Sequence, residues 1–181
     1  MRHDVFIAGF GGQGVLVAGN LLCYAGIRQG LNVSFYPAYG VEKRGGAATC
    51  TVVMSDGDTG SPVVGRPSVS VLLNQLSFDK YAAKVRPGGV CIINSSLVDC
   101  TATELEDIEP AAIPMNSLAI GLGDIRMVNM IACGAYAAKS GVLSLASLIA
   151  SLEKAVPALG QNQEMMDGNI KALTVGFEAF G

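Results

Sequence analysis

Tryptophan is absent from the 181-residue chain, and histidine occurs once, as His3. A single imidazole excludes a His-rich metal site and a Ser-His-Asp triad with its usual base. Charge is scarce too: 15% of residues are Asp, Glu, Lys or Arg, and the formal net charge is −3. Such a chain has no electrostatic footprint for nucleic acid. No uninterrupted apolar run is long enough to span a membrane. The opening MRHD leads straight into a strand, not into a basic and then apolar leader, so no signal peptide and a cytoplasmic location are expected. The five cysteines, Cys23, Cys50, Cys91, Cys100 and Cys133, form no CxxC pair. Their spacing argues against zinc or iron–sulfur ligation by this chain alone, and for reduced thiols packed as small hydrophobes.

Apolar residues and glycine are plentiful: half the chain is hydrophobic and 23 residues are glycine. One domain over 1–181, with a large core and a broad surface buried against partners, accounts for this. The fold expected is α/β: three layers around a mostly parallel sheet of five to six strands, a glycine-rich turn between the first strand and first helix, and a helical C-terminal third.

Strands are predicted at Asp4–Ala8, Asn32–Tyr36, Ala48–Ser55, Ser68–Leu73 and Val90–Asn94, with a short sixth at Ala112–Met115. Apolar residues at 15, 16, 18, 21, 22 and 25 give Gln13–Arg28 a helical period, with Gly30 as its stop. Strand, helix and strand together predict a parallel βαβ unit. Phe78–Val85 reads as a helix, and the acidic stretch Thr101–Ile108 as a short one. Three helices follow: one over Arg126–Lys139 rich in small residues and Met, one capped by Ser144, and a last one broken near Gly168.

Two loops carry the chemistry. Gly9-Phe-Gly11-Gly12-Gln13-Gly14 satisfies GxGxxG between a strand and a helix. There, glycines let an anion approach the backbone, and the helix N-terminus offers free N–H groups. The same turn would also serve simply to pack helix against strand. A dinucleotide site needs an acid at the end of the second strand, and Phe35-Tyr36-Pro37 has none. The second loop, Tyr39–Gly46, holds Gly40, Gly45 and Gly46 around Glu42, Lys43 and Arg44. With parallel first and second strands, both loops leave one edge of the sheet, where Arg44 can clamp a phosphate or carboxylate and Glu42 can hold it. A solvated charged turn, or a salt bridge at a subunit contact, is the plainer reading.

The runs GFGGQGVLVAG and YPAYGVEKRGGAATCTVVMS resemble the gamma subunit of the 2-oxoacid:ferredoxin oxidoreductases, and RPGGVCIINSSL, RMVNMIACGAYAAKSGVL and NIKALTVGFEAF extend that resemblance over nearly the whole chain. It implies a complex converting a 2-oxoacid, coenzyme A and oxidised ferredoxin to acyl-CoA, carbon dioxide and reduced ferredoxin. Thiamine diphosphate, Mg and the iron–sulfur clusters are then lodged mainly in alpha and beta subunits and a ferredoxin-like subunit. This chain would hold no complete active site and no catalytic residue. It would contribute assembly, and a CoA-phosphate site made by Gly9, Gly11, Gly12, Gln13, Gly14, Tyr39, Gly40, Glu42, Arg44, Gly45 and Gly46. In isolation it would self-associate through its partner surface. The alternatives are a free-standing nucleotide- or flavin-binding protein, and a purely structural subunit whose glycine loops only pack.

Overall fold

The computed structural model describes residues 1–40, 46–101 and 105–181. Six strands form one sheet: β1 (Arg2–Phe10), β2 (Asn32–Tyr39), β3 (Ala47–Ser55), β4 (Val69–Leu72), β5 (Gly89–Asn94) and β6 (Ile108–Ile113), in the order β2-β3-β1-β4-β5-β6. β1, β4, β5 and β6 pair in parallel, whereas β3 is antiparallel to both of its neighbours, β1 and β2. Only β3 therefore runs against the rest, and the sheet is mostly parallel.

The helices are α1 (Val15–Arg28), α2 (Gln75–Tyr81), α3 (Met115–Gly121), α4 (Val128–Ser140), α5 (Leu145–Ile149), α6 (Leu152–Ala155) and α7 (Gln163–Glu178). Alternation along the strands sends Val5, Ile7, Val71 and Ile92 into a large core beneath α1 and α4. Phe6, Ala8, Leu72, Cys91 and Ile93 face the other way, into a smaller core beneath Phe78 of α2. β4 is buried at all four positions, as expected of a central parallel strand covered on both faces.

The βαβ expectation holds in direction but not in adjacency. β1 and β2 run the same way, yet β3 lies between them. The chain folds back from β2 into β3 as a hairpin, and β3 takes the place beside β1. β2 also runs past Pro37 to Tyr39, beyond the predicted end at Tyr36. A proline costs little here because β2 is an edge strand, and Pro110 stands likewise in the opposite edge strand, β6.

Several other boundaries differ. The sixth strand is Ile108–Ile113, and Met115 opens a helix instead of ending a strand. Part of the acidic stretch, 102–104, lies outside the described residues; 105–107 is not helical. The helix capped by Ser144 is interrupted, giving α5 and α6. α7 is unbroken at Gly168, where a Cβ would stand 2.6 Å from Met127 Cε, the movable end of a flexible side chain. α4 is internal: ten of its thirteen residues are buried. Its small residues serve close contact with α7 rather than a partner.

Candidate functional site

Registers across the sheet bring the two glycine loops together. Tyr39 of β2 is opposite Ala48 of β3, which is opposite Gly9 of β1. The two strands thus end in one row. Gly11 N–H donates to Gly46 O at 2.9 Å, and Gly40 N–H donates to Ala47 O at 2.8 Å, closing the base of the second loop. Glu42, Arg44 and Gly45 lie outside the described residues. Tyr39 is 71% exposed at the rim.

Three glycines of the turn have distinct demands. Gly12 and Gly14 have φ of 104° and 73°, the left-handed region that glycine enters without penalty. A Cβ on Gly14 would also stand 2.4 Å from Asn129 Nδ2, and one on Gly9 would stand 2.7 Å from Gln13 Oε1. Gly14 is the N-cap of α1, with no side-chain cap and no acid in the first turn. Ala18 N–H bonds to Gly14 O at 2.9 Å. The earlier N–H groups of the first turn have no intrahelical acceptor, and no acid of that turn compensates the positive end of the helix dipole.

The Gln13 side chain is hydrogen-bonded within the chain. Its Oε1 accepts from Phe10 N–H at 2.7 Å and from Asn74 Nδ2 at 2.9 Å, and its Nε2 donates to Leu73 O at 3.2 Å. The side chain is committed to the protein: it ties the glycine turn to the end of β4. Asn74 Oδ1 in turn accepts from Ser77 N–H at 2.9 Å, capping α2. Asn94, at the end of β5, donates to Leu73 O at 3.2 Å and to Asn116 Oδ1 of α3 at 2.8 Å. One amide network thus links the carboxyl ends of β1, β4 and β5 to the start of α3.

This network sits where the connections diverge. α1 leaves β1 across one face of the sheet, and α2 leaves the adjacent β4 across the other. Open α/β sheets bind ligands at such a crevice. Sequence reasoning missed Asn74, Asn94 and Asn116. The signal for the first two was a buried-looking strand ending in an amide, in VLLN and VCIIN.

A dinucleotide reading loses further ground. With β3 interposed, the end of β2 is two strand spacings from β1, about 9–10 Å. It also carries Tyr39 and Gly40 in place of an acid. The thiols do not fit a cluster site either. Cys50 Sγ donates to Val15 O and Cys133 Sγ to Ala18 O inside the core. Burial pushes Cys23, Cys50 and Cys91 up to about 12, which keeps them protonated. Among the described residues no helix is long and apolar enough to cross a membrane.

Comparison with known proteins matches residues 4–179 to the family described as pyruvate ferredoxin/flavodoxin oxidoreductase. The chain is 36% identical over 176 residues to ketoisovalerate oxidoreductase subunit VorA of Methanothermobacter thermautotrophicus, covering 96% of this chain and 35% of that one. The chain thus spans about a third of the length of that relative. A solved structure of the gamma subunit of a keto/oxoacid ferredoxin oxidoreductase from Geobacter sulfurreducens is similar, with TM-score 0.81, 30% identity and coverage of 98% of this chain and 97% of that one. The fold also matches part of 2-oxoglutarate:ferredoxin oxidoreductase from Magnetococcus marinus, solved with 2-oxoglutarate, coenzyme A and succinyl-CoA bound. There the TM-score is 0.88 at 24% identity, covering 98% of this chain and 31% of that one.

Proposed function

The chain belongs to the pyruvate ferredoxin/flavodoxin oxidoreductase family, and on that premise we propose that it is the gamma-type subunit of a cytoplasmic 2-oxoacid:ferredoxin oxidoreductase. The complex would oxidatively decarboxylate a 2-oxoacid to its acyl-CoA and pass the electrons to ferredoxin. Thiamine diphosphate, Mg and the iron–sulfur clusters belong in this proposal to alpha and beta subunits and a ferredoxin-like subunit. The buried thiols here, engaged with carbonyls of α1, do not suit cluster ligation.

The contribution proposed for this chain is to hold a phosphate of coenzyme A. One observation carries it: the hydrogen bond from Gly11 N–H to Gly46 O, which joins the glycine turn to the second loop at the carboxyl edge of the sheet. The ligand's phosphate would sit over the first turn of α1, at Gly12 and Gly14, where helix N–H groups and the dipole favour an anion. Arg44 would add a charge-assisted bidentate contact from the second loop, with Glu42 orienting it. Tyr39, exposed beside Gly40, would wall the ligand. Gln13 positions the turn and does not itself touch the ligand. Coenzyme A bound in the related Magnetococcus marinus enzyme supports this choice of ligand.

Arg44→Ala in the assembled complex tests the assignment. The expected result is a KM for coenzyme A raised about tenfold or more, the loss of one charge-assisted contact, with subunits still co-eluting and the KM for the 2-oxoacid unchanged. An unaltered KM for coenzyme A in an intact complex would leave the loops a packing role alone.

A further inference from the structure

On the face of the sheet opposite α1, away from the glycine turn, a cavity of about 190 Å³ is lined by Phe6, Val64, Gly65, Pro67, Tyr81 and Lys84. Its floor is aromatic. Phe6 of β1 and Tyr81 of α2 pack edge to face, with centroids 4.8 Å apart and an interplanar angle of 61°. Its outer wall is the segment that crosses from β3 to β4. Gly65 in that wall is open: a Cβ built there meets nothing within 4 Å.

Two cations converge on the same ring. Lys80 Nζ lies 5.2 Å and Lys84 Nζ 5.1 Å from the Tyr81 centroid. Neither ammonium forms an ion pair among the described residues. The acid beside them in sequence, Asp79, accepts instead from Gln75 Nε2 at 2.8 Å. Two like charges over one ring repel each other, and the ring's quadrupole offsets only part of that. An anion in the cavity beside Lys84 would be attracted by both charges. Arg66 is not counted with them, because it shares a neighbouring cavity with Glu106.

We infer that this cavity is a binding site for a small aromatic anion: one ring against Phe6, Tyr81 and Pro67, and a carboxylate or phosphate held by Lys84, which lines the cavity, with the charge of Lys80 beside the same ring adding to the attraction. Size sets the class. An apolar cavity of about 150 Å³ takes a single benzene ring, whereas drug-sized or nucleotide ligands need about 300 Å³ or more. The site is separate from the carboxyl-edge crevice and does not depend on the coenzyme A reading.

Phenyl phosphate and benzoate are the probes, titrated into the full-length chain while the Tyr81 ring resonances are followed by NMR. Saturable one-to-one binding that shifts Tyr81 is expected, with phenol about tenfold weaker for lack of the anion. Lys80→Glu combined with Lys84→Glu should weaken phenyl phosphate by about tenfold or more. The proposal is overturned if Tyr81 shows no saturable shift, if phenol binds as well as phenyl phosphate, or if the double lysine variant folds and still binds phenyl phosphate as the parent does.

Discussion

Asn74 donates from Nδ2 to Gln13 Oε1 at 2.9 Å, across a sequence separation of 61 residues. The bond joins the glycine turn after β1 to the N-cap of α2, and Phe10 N–H converges on the same oxygen at 2.7 Å. The geometry of the candidate phosphate site is therefore set from outside its own motif.

Gln13→Leu is expected to destabilise the chain by about 1–3 kcal/mol. It keeps the bulk but strands Phe10 N–H and one amide proton of Asn74, and an unpaired polar group in a partly buried site carries its full desolvation cost. Gln13→Glu keeps the acceptor but sets a carboxylate oxygen against Leu73 O, where the amide donated, and should recover only part of that loss. Urea unfolding followed by circular dichroism checks both; equal stability of the Leu variant and the parent would show that the network does not hold the turn.

Two glycines set the contact between α4 and α7. A Cβ on Gly134 would stand 2.0 Å from Leu173 O, and one on Gly176 would stand 2.0 Å from Ile131 O. Both obstacles are backbone, so relief requires the helices to move apart. Gly134→Ala and Gly176→Ala should each cost about 3 kcal/mol or more, at the upper end of overpacking effects. Gly57→Ala, at an exposed position with open space, should be neutral to within about 0.5 kcal/mol. Thermal melts of the three variants measure the contrast.

His3 makes stability depend on pH. Burial disfavours its imidazolium and lowers its pKa below the ordinary 6.5; Asp4 opposes this and Arg86 adds to it. Its Nε2 is also buried without a hydrogen-bond partner among the described residues. Above pH 6.5 the imidazole is neutral in folded and unfolded chains alike. Below that, the unfolded chain takes up the proton first, so stability should fall with pH until the folded imidazole is protonated too. His3→Gln should flatten this slope below pH 6.5. The exposed carboxylates Asp56 and Asp99 and the partly exposed Asp124 sit below the usual 3.8, so their loss belongs to more acid conditions.

Some of the fold was legible because its causes are local. The strands VFIA and VCIIN are apolar runs, α1 carries a helical period, and Gly12 and Gly14 stand where the backbone takes positive φ. Each of these depends on neighbours within a few residues, and so the glycine turn, its helix and the second loop were evident from the residues alone. Tertiary structure decided the rest. β3 entered between β1 and β2 because a hairpin pairing competes with the βαβ crossover, and periodicity does not express that competition. Pro37 remained in a strand because β2 is an edge strand, and Gly168 remained in a helix because the hydrogen-bonded turns of α7 continue through it. The amide chain from Gln13 through Asn74 and Leu73 to Asn94 and Asn116 joins residues distant in sequence. Short-range pattern determined which segments fold and where the glycine turn stands. Long-range pairing determined that the two glycine loops meet at one edge, because only strand register places Tyr39, Ala48 and Gly9 in a single row.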